Sequence, residues 1–413
     1  MKHIFLWAGT IISVLNLAVT WAADGQVETG ASPLVEQVGP RGPVGPDVPL
    51  SADEKRQFSK RIVVQDHTAG AVQAACRRAS ESGLQVVFLP AGDYVFDRPV
   101  TVPGGLTLVG EGSKTSVRAG NRRVDLFVVK GDHVRFTRLK LQGADTTTSA
   151  KNDTFGIIAS KVQNVRVDHC ELLGFSYATY FANEATAQVD HCVIHHNLRD
   201  GLGYGVAIYS GAYVLITDNE FYQNRHSLAS NGALDWSSPK RVGKYVHKPG
   251  FRKTHWEFVH NRVGSNDKST YELCAVDTHP GMDGTFVVEY NLFENLRHGV
   301  GIRDGSGLIR RNVFRNLRAR TRKAYAITIS YDTHNGIPVE GCMPNNILVE
   351  ANVFLPEGAK YQRYRIGKAE NIFLDGQLVQ STKSQRPAKI EMPRLEPMGT
   401  NGRLRLSTRT WKP

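Results

Sequence analysis

The 413-residue sequence predicts an all-β solenoid in which short strands stack, coil upon coil, into parallel sheets. Three observations lead there. Seven segments align, VDHCEL, VDHCVI, TDNEFY, VHNRVG, EYNLFE, RRNVFR and EANVFL, and each puts one residue at a shared site: Cys170, Cys192, Asn219, Asn261, Asn291, Asn312 and Asn352. The separations of those sites, 22, 27, 42, 30, 21 and 40 residues, are irregular while the motif is not, which describes a constant coil carrying loops of variable length. A second strand-like segment precedes each motif: FGIIAS, ATYFAN, GVAIYS, HSLASN, CAVDTH, GVGIRD and YAITISY. Stacked coils pair each strand with its neighbour about 4.8 Å above.

The elements follow in order. Lys2 and His3 precede an apolar run, Ile4 to Val19, and Thr20-Trp21-Ala22 offers small residues before a cut, so residues 1–22 read as a secretory signal peptide and the protein as periplasmic or secreted. No later segment is apolar enough to cross a bilayer, so no stable membrane insertion is expected once the signal is removed. Residues 23–60 read as a Pro/Gly-rich linker, since three Gly-Pro-X triplets from Gly39 are too few for a collagen helix and suit a stiff extended tether. Ala71 to Ser82 reads as an amphipathic helix, Val86 to Leu89 as a buried strand, Pro90-Ala91-Gly92 as a turn, and Leu106 to Gly112 as another short strand. The repeats then fill a domain of residues 61–360, followed by an extension of residues 361–413.

The shared Asn has a mechanical reason: its amide donates and accepts, so stacked side chains can bond one another and the turn backbone in one inward row. Cys170 and Cys192 occupy that site in consecutive coils and read as buried stacked thiols, with a disulfide between the rungs as the alternative. The five cysteines show no zinc-site spacing.

Side chains alternate along a strand. If Val276 and Thr278 face in, Asp277 and His279 face out; if Val300 and Ile302 face in, Arg303 faces out. His279 and Arg303 are 24 residues apart, about one coil, so they are neighbours on adjacent rungs. By the same reckoning Asn231 lies one rung before His279, Tyr209 two before, and Ser330 one beyond Arg303. The long gap between Asn219 and Asn261 holds an insertion, about residues 232–254, with Lys240, Arg241 and Lys244 among aromatics, which could fold over this strip. Arg225-His226 and Arg297-His298 sit at corresponding turns that enter the strands. For any one outward residue of a solenoid the bland reading is a solvated face. Asp277 could merely cap a turn, and His279 before Pro280 could merely end a strand.

The coils, the Asn row and the helix that would cap the first coil resemble the right-handed parallel β-helix of the pectate-lyase-like superfamily over roughly residues 62–355. That fold hosts many activities. Within it, Asp277-Thr278-His279 followed one coil later by Arg303 resembles the Asp-Pro-His-Asp strand of periplasmic mannuronan C5-epimerases. The resemblance implies His279 as base, Arg303 as neutraliser of the substrate carboxylate and Asp277 as the group orienting the imidazole or the sugar. Thr278 replaces that family's proline and Pro280 its second aspartate, and the likeness covers about thirty residues.

The net charge of +12 and pI near 9.4 point to an anionic partner, and for an exported protein that is an acidic polysaccharide rather than nucleic acid. Abstraction of a uronate C5 proton needs its carboxylate neutralised, which arginine does well, and a base that is neutral near pH 7, which histidine is. Loss of the C4 oxygen then gives a lyase, and reprotonation from the other face a C5-epimerase. A calcium route needs clustered carboxylates, whereas the strip offers only Asp277 and Asp304, so neither metal nor cofactor is expected. A glycoside hydrolase using Asp277 and Asp304 as its carboxylate pair is the competing enzyme class. In that comparison RHGVGIRD matches the polygalacturonase Gly-His-Gly element only loosely, and that family's paired-aspartate motif is absent. A non-catalytic polysaccharide-binding surface protein is the third reading. In each case the chain is expected to be a monomer, with Tyr209, Asn231, Lys240, Arg241, Lys244, Arg225, His226, His298 and Ser330 as substrate-binding candidates.

Overall fold

The computed structural model describes residues 33–264, 274–318, 323–356, 361–380, 390–399 and 403–411. The signal peptide expected at residues 1–22 lies outside them, as does the start of the linker. No helix among the described residues is long and apolar enough to cross a membrane.

The chain winds into a parallel β-helix. One face is a ten-stranded, all-parallel sheet running rung by rung from Val100–Val102 to Gln362–Ile366; a larger, mostly parallel sheet forms the rest of the wall. The helix Ala69–Ser82 starts two residues earlier than predicted because the Thr68 hydroxyl accepts from Ala71 N, and it stops at Gly83 in the left-handed region (φ 70). Its buried face, Ala69, Val72, Ala75, Cys76 and Ala79, closes the N-terminal end of the core. Inside the coils, aromatic rings stack along the axis: Phe258 on Phe293, Phe293 on Phe314, and Phe314 on Phe354, with centroids 5.0–6.3 Å apart.

Each aligned motif is a corner between two strands. The residue before the shared site takes a left-handed conformation in all seven: His169, His191, Asp218, His260, Tyr290, Arg311 and Ala351, with φ between 47° and 58°. The corner sends the next side chain inward. Asn219, Asn261, Asn291, Asn312 and Asn352 form a continuous ladder, each Nδ2 donating to the next Oδ1 at 2.9–3.2 Å. Cys170 and Cys192 head this row as free buried thiols, so the disulfide is not formed. Asn291→Leu deletes the acceptor for Asn261 and the donor to Asn312 and Phe258 O. We expect it to destabilise the fold by about 1–3 kcal/mol per unsatisfied partner, read from urea unfolding midpoints; an unchanged midpoint would show that the ladder is decorative.

Two segments differ from expectation. The stretch read as a stiff extended tether is, in its described part, strapped along the coil corners and carries the short helices Pro33–Glu36 and Ala52–Gln57. Gly39 N donates to Tyr290 O at 3.0 Å, and Gly45 N donates to His191 O, in the same corner row, at 2.8 Å. Arg41 forks Asp218 at 2.8 and 2.7 Å, and Glu54, on the helix Ala52–Gln57, meets Arg135 and Arg138. An extended Gly-Pro segment pairs few of its own backbone donors, and the corner carbonyls accept them. The stretch from residue 361, read as an extension, first continues the coil with the parallel strands Gln362–Ile366 and Glu370–Leu374 and then folds back as an antiparallel hairpin, Ile390–Glu396 with Arg405–Trp411, whose Met392 packs on Val287, Leu308, Leu348 and Phe373 of the larger sheet.

Candidate active site

The ten-stranded sheet sets the site by register. Ala229 pairs with Asp277 and Asp277 with Gly301; Ser230 pairs with Thr278 and Thr278 with Ile302. One residue further along the same ladder, Tyr209, Asn231, His279, Arg303 and Ser330 follow on consecutive rungs, in the predicted order. Val276 and Thr278 are fully buried in the solenoid, so Asp277 and His279 point outward as alternation requires.

Outward does not mean solvated. Asp277 is 1% exposed, sealed beneath its neighbours. Arg303 Nε donates to its Oδ1 at 3.1 Å and Nη2 donates to its Oδ2. His279 Nε2 lies 3.4 Å and His226 Nε2 3.6 Å from Oδ2. His226 Nδ1 bonds the Cys274 carbonyl at 2.7 Å, and Arg303 N donates to Thr278 Oγ1 at 2.7 Å. The rung geometry thus builds a carboxylate held by one guanidinium and flanked by two imidazoles.

Above it opens a pocket of about 300 Å³. His279, Arg303, Tyr204, Arg225, Asn231 and His334 supply its polar wall, with Trp236 and Tyr177 among its rings. The Tyr204 ring sits 5.7 Å from that of His279, and His334 sits 6.3 Å from it. Trp236, half exposed, leans on His334 at 5.2 Å. Asn231 is wholly buried and its Nδ2 has no hydrogen-bond partner.

Charges respond to this burial. Desolvation alone would raise the Asp277 carboxyl, but Arg303, and after it His226 and His279, hold it well below the usual carboxylate range. Burial pushes His226 down to about 3, with Arg225 and His279 adding to the shift and Asp277 opposing it. Burial, followed by Arg297 and Arg365, takes His298 down to about 4. Both depressed imidazoles take up protons in the unfolded chain first. As pH falls from about 6.5 towards 4, the unfolded state therefore binds more protons than the folded one and stability drops. The urea midpoint is expected to be lower at pH 4.5 than at pH 7, with His226→Gln flattening the slope; equal midpoints at the two pH values would contradict this.

Several predicted residues are not brought to the pocket. His298 stacks on Tyr325 at 5.7 Å, its Nδ1 accepting from Tyr325 N, and Ser330 Oγ bonds Tyr331 O. The insertion is an ordered flap, with strands Leu234–Asp235 and Val246–His247 around the short helix Ser238–Val242. Its cations do not line the pocket: Arg241 pairs with Asp235, Lys244 with Glu340 at 2.8 Å, and Lys240 stands exposed on the helix. Opposite charges on neighbouring segments pair with Arg241 and Lys244. Asp304, the second carboxylate of the hydrolase reading, accepts from Gly281 N, Asp283 N, Gly305 N and Met343 N, so it is spent on backbone. Sequence reasoning missed Tyr204 and His334, and placed Trp236 only among the aromatics of the insertion. Tyr204 immediately precedes the segment GVAIYS, opens the strand Tyr204–Ile208, and could have been found by continuing the His226 column one rung back.

The pectate lyase-like family model for rhamnogalacturonase A/epimerase matches residues 63–271, just over half of the chain's 413 residues. The matched stretch ends before His279 and Arg303. No curated protein sequence matches the chain. Solved structures similar to it include an alginate lyase from Paenibacillus sp. str. FPU-7, at 13% identity over 76% of this chain and 99% of that one with a TM-score of 0.49. The A-module of Azotobacter vinelandii mannuronan C-5 epimerase AlgE6 is 16% identical over 80% and 99%, with a TM-score of 0.47. The catalytic unit of a GH87 α-1,3-glucanase from Streptomyces thermodiastaticus strain HF3-3 is 12% identical over 82% and 70%, with a TM-score of 0.41. The extent of the family match places the chain in the pectate lyase-like rhamnogalacturonase A/epimerase family.

Proposed function

We propose that the protein is an exported enzyme that abstracts the C5 proton of a uronate within an acidic polysaccharide, as a lyase or a C5-epimerase. The observation that carries this reading is the buried Asp277, bonded by Arg303 and set 3.4 Å from His279 at the floor of a polar pocket. A carboxylate facing Nε2 selects the tautomer with a proton there and leaves Nδ1 of His279 as the base. The C5–H bond breaks, the proton goes to His279, and the electron pair spreads into the carboxylate, whose growing charge the pocket's guanidinium groups stabilise. Burial raises the Tyr204 phenol above its ordinary value and so keeps it protonated. It is the proton donor of the scheme, either to the departing C4 oxygen as the C4–C5 double bond forms or back to C5 on the opposite face. The pocket volume suits about one sugar ring with its neighbours lying along the sheet.

The hydrolase reading is weaker because a retaining or inverting pair needs a protonated carboxylic acid beside the bond. Asp277 is held ionised, Asp304 is bonded to four backbone N–H groups, and Asp283, pushed up to about 6 by burial, does not line the pocket. The test is incubation with polygalacturonate, rhamnogalacturonan and polymannuronate. Ultraviolet absorbance from unsaturated ends, or a changed uronate epimer ratio, is the expected result. Reducing ends without absorbance would establish hydrolysis, and binding without turnover a non-catalytic protein.

A further inference from the structure

The pocket holds two guanidinium groups, and they are not equivalent. Arg303 already has its anion: two of its nitrogens are bonded to Asp277, and its Nη1 faces the exposed Asp332 at 3.8 Å. Its charge and that of Asp277 cancel at the pocket floor. Arg225 has no carboxylate within ion-pair distance among the described residues. Its Nη1 donates to neutral acceptors only, Tyr204 Oη at 3.3 Å and Leu202 O at 3.4 Å. Its Nε is buried and has no hydrogen-bond partner. The guanidinium carbon lies 5.8 Å from the Tyr204 ring centroid, and the neighbouring His226 is neutral. An uncompensated, partly desolvated guanidinium with an idle N–H is unfavourable in the empty pocket and is relieved by an anion with two oxygens.

We propose that Arg225, rather than Arg303, receives the carboxylate of the bound sugar, and that Arg303 is a positioning residue committed to Asp277. This rests on the reading of the pocket as a uronate site. Arg225 stands beside Tyr204, so the carboxylate of the reacting ring turns towards the Tyr204 edge. The uncancelled positive charge then lies where negative charge grows as C5 loses its proton.

The test measures binding, which does not depend on turnover. Trigalacturonate and trimannuronate, each beside its carboxyl-reduced form, are titrated calorimetrically at low salt into wild type, Arg225→Gln, Arg225→Lys and Arg303→Gln, with folding checked by circular dichroism. Wild type is expected to prefer an acidic trimer. Arg225→Gln should lose about tenfold to a hundredfold on that trimer and little on its reduced form, so the preference collapses. Arg225→Lys should keep part of the preference, which a merely structural role would not predict. Folded Arg303→Gln should keep it while turnover falls. A preference that survives Arg225→Gln, or that is lost only with Arg303→Gln, overturns the assignment. Wild type binding acidic and reduced trimers equally overturns the uronate reading and this assignment with it.

Discussion

His279→Gln is expected to lower turnover by about 10²–10⁴-fold, the usual worth of a positioned general base, on a protein that still folds. The fold tolerates the change because His279 is tied into the sheet through its backbone, whose N–H donates to Ser230 O at 2.8 Å. Its ring lies in the pocket, outside the solenoid core. Glutamine keeps a polar group of similar reach beside Asp277 but has no basic nitrogen. The check is kcat for both proteins on whichever polymer is turned over. Near wild-type turnover by the variant would reduce His279 to a polar strand end.

Asp277→Asn is expected to cost about 3–5 kcal/mol of stability as well as activity, because it breaks a buried ion pair and leaves the cation behind. Asp277 is 1% exposed, and its oxygens serve Arg303 while facing His279 and His226. With the carboxylate gone, the half-buried guanidinium loses its anion and the His279 ring loses the group that selects its tautomer. The double variant Asp277→Asn/Arg303→Gln removes both charges and is expected to be more stable than Asp277→Asn alone, although inactive. Denaturant unfolding of the four proteins in this cycle measures the coupling. If the double variant is destabilised by the plain sum of the two single changes, the pair is not energetically linked.

Much of this was legible in the sequence because a solenoid converts spacing into neighbourhood. The Asn and Cys sites mark one point on every coil, so a 24-residue step places Arg303 beside His279. Alternation with period two places Asp277 and His279 on the same face. What alternation does not report is cover. Asp277 read as an outward carboxylate beside His279, and only the side chains above it make it buried. The cations of the insertion were illegible for a related reason. Lys244 finds Glu340, 96 residues away, through a loop path that no local pattern encodes. His334 reaches the pocket from another such loop. The contacts of the linker were illegible too, since its partners are carbonyls and acids at corners scattered over the chain.

The central claim is that this site breaks a C5–H bond. The most direct measurement is turnover in D2O of the polymer that wild type acts on, followed by NMR or mass analysis of the uronate residues. The account predicts deuterium at C5 of epimerised units, or C4–C5 unsaturation with the C5 hydrogen lost, in wild type and neither in His279→Gln. Cleaved or unchanged polymer that retains every C5 proton would contradict it.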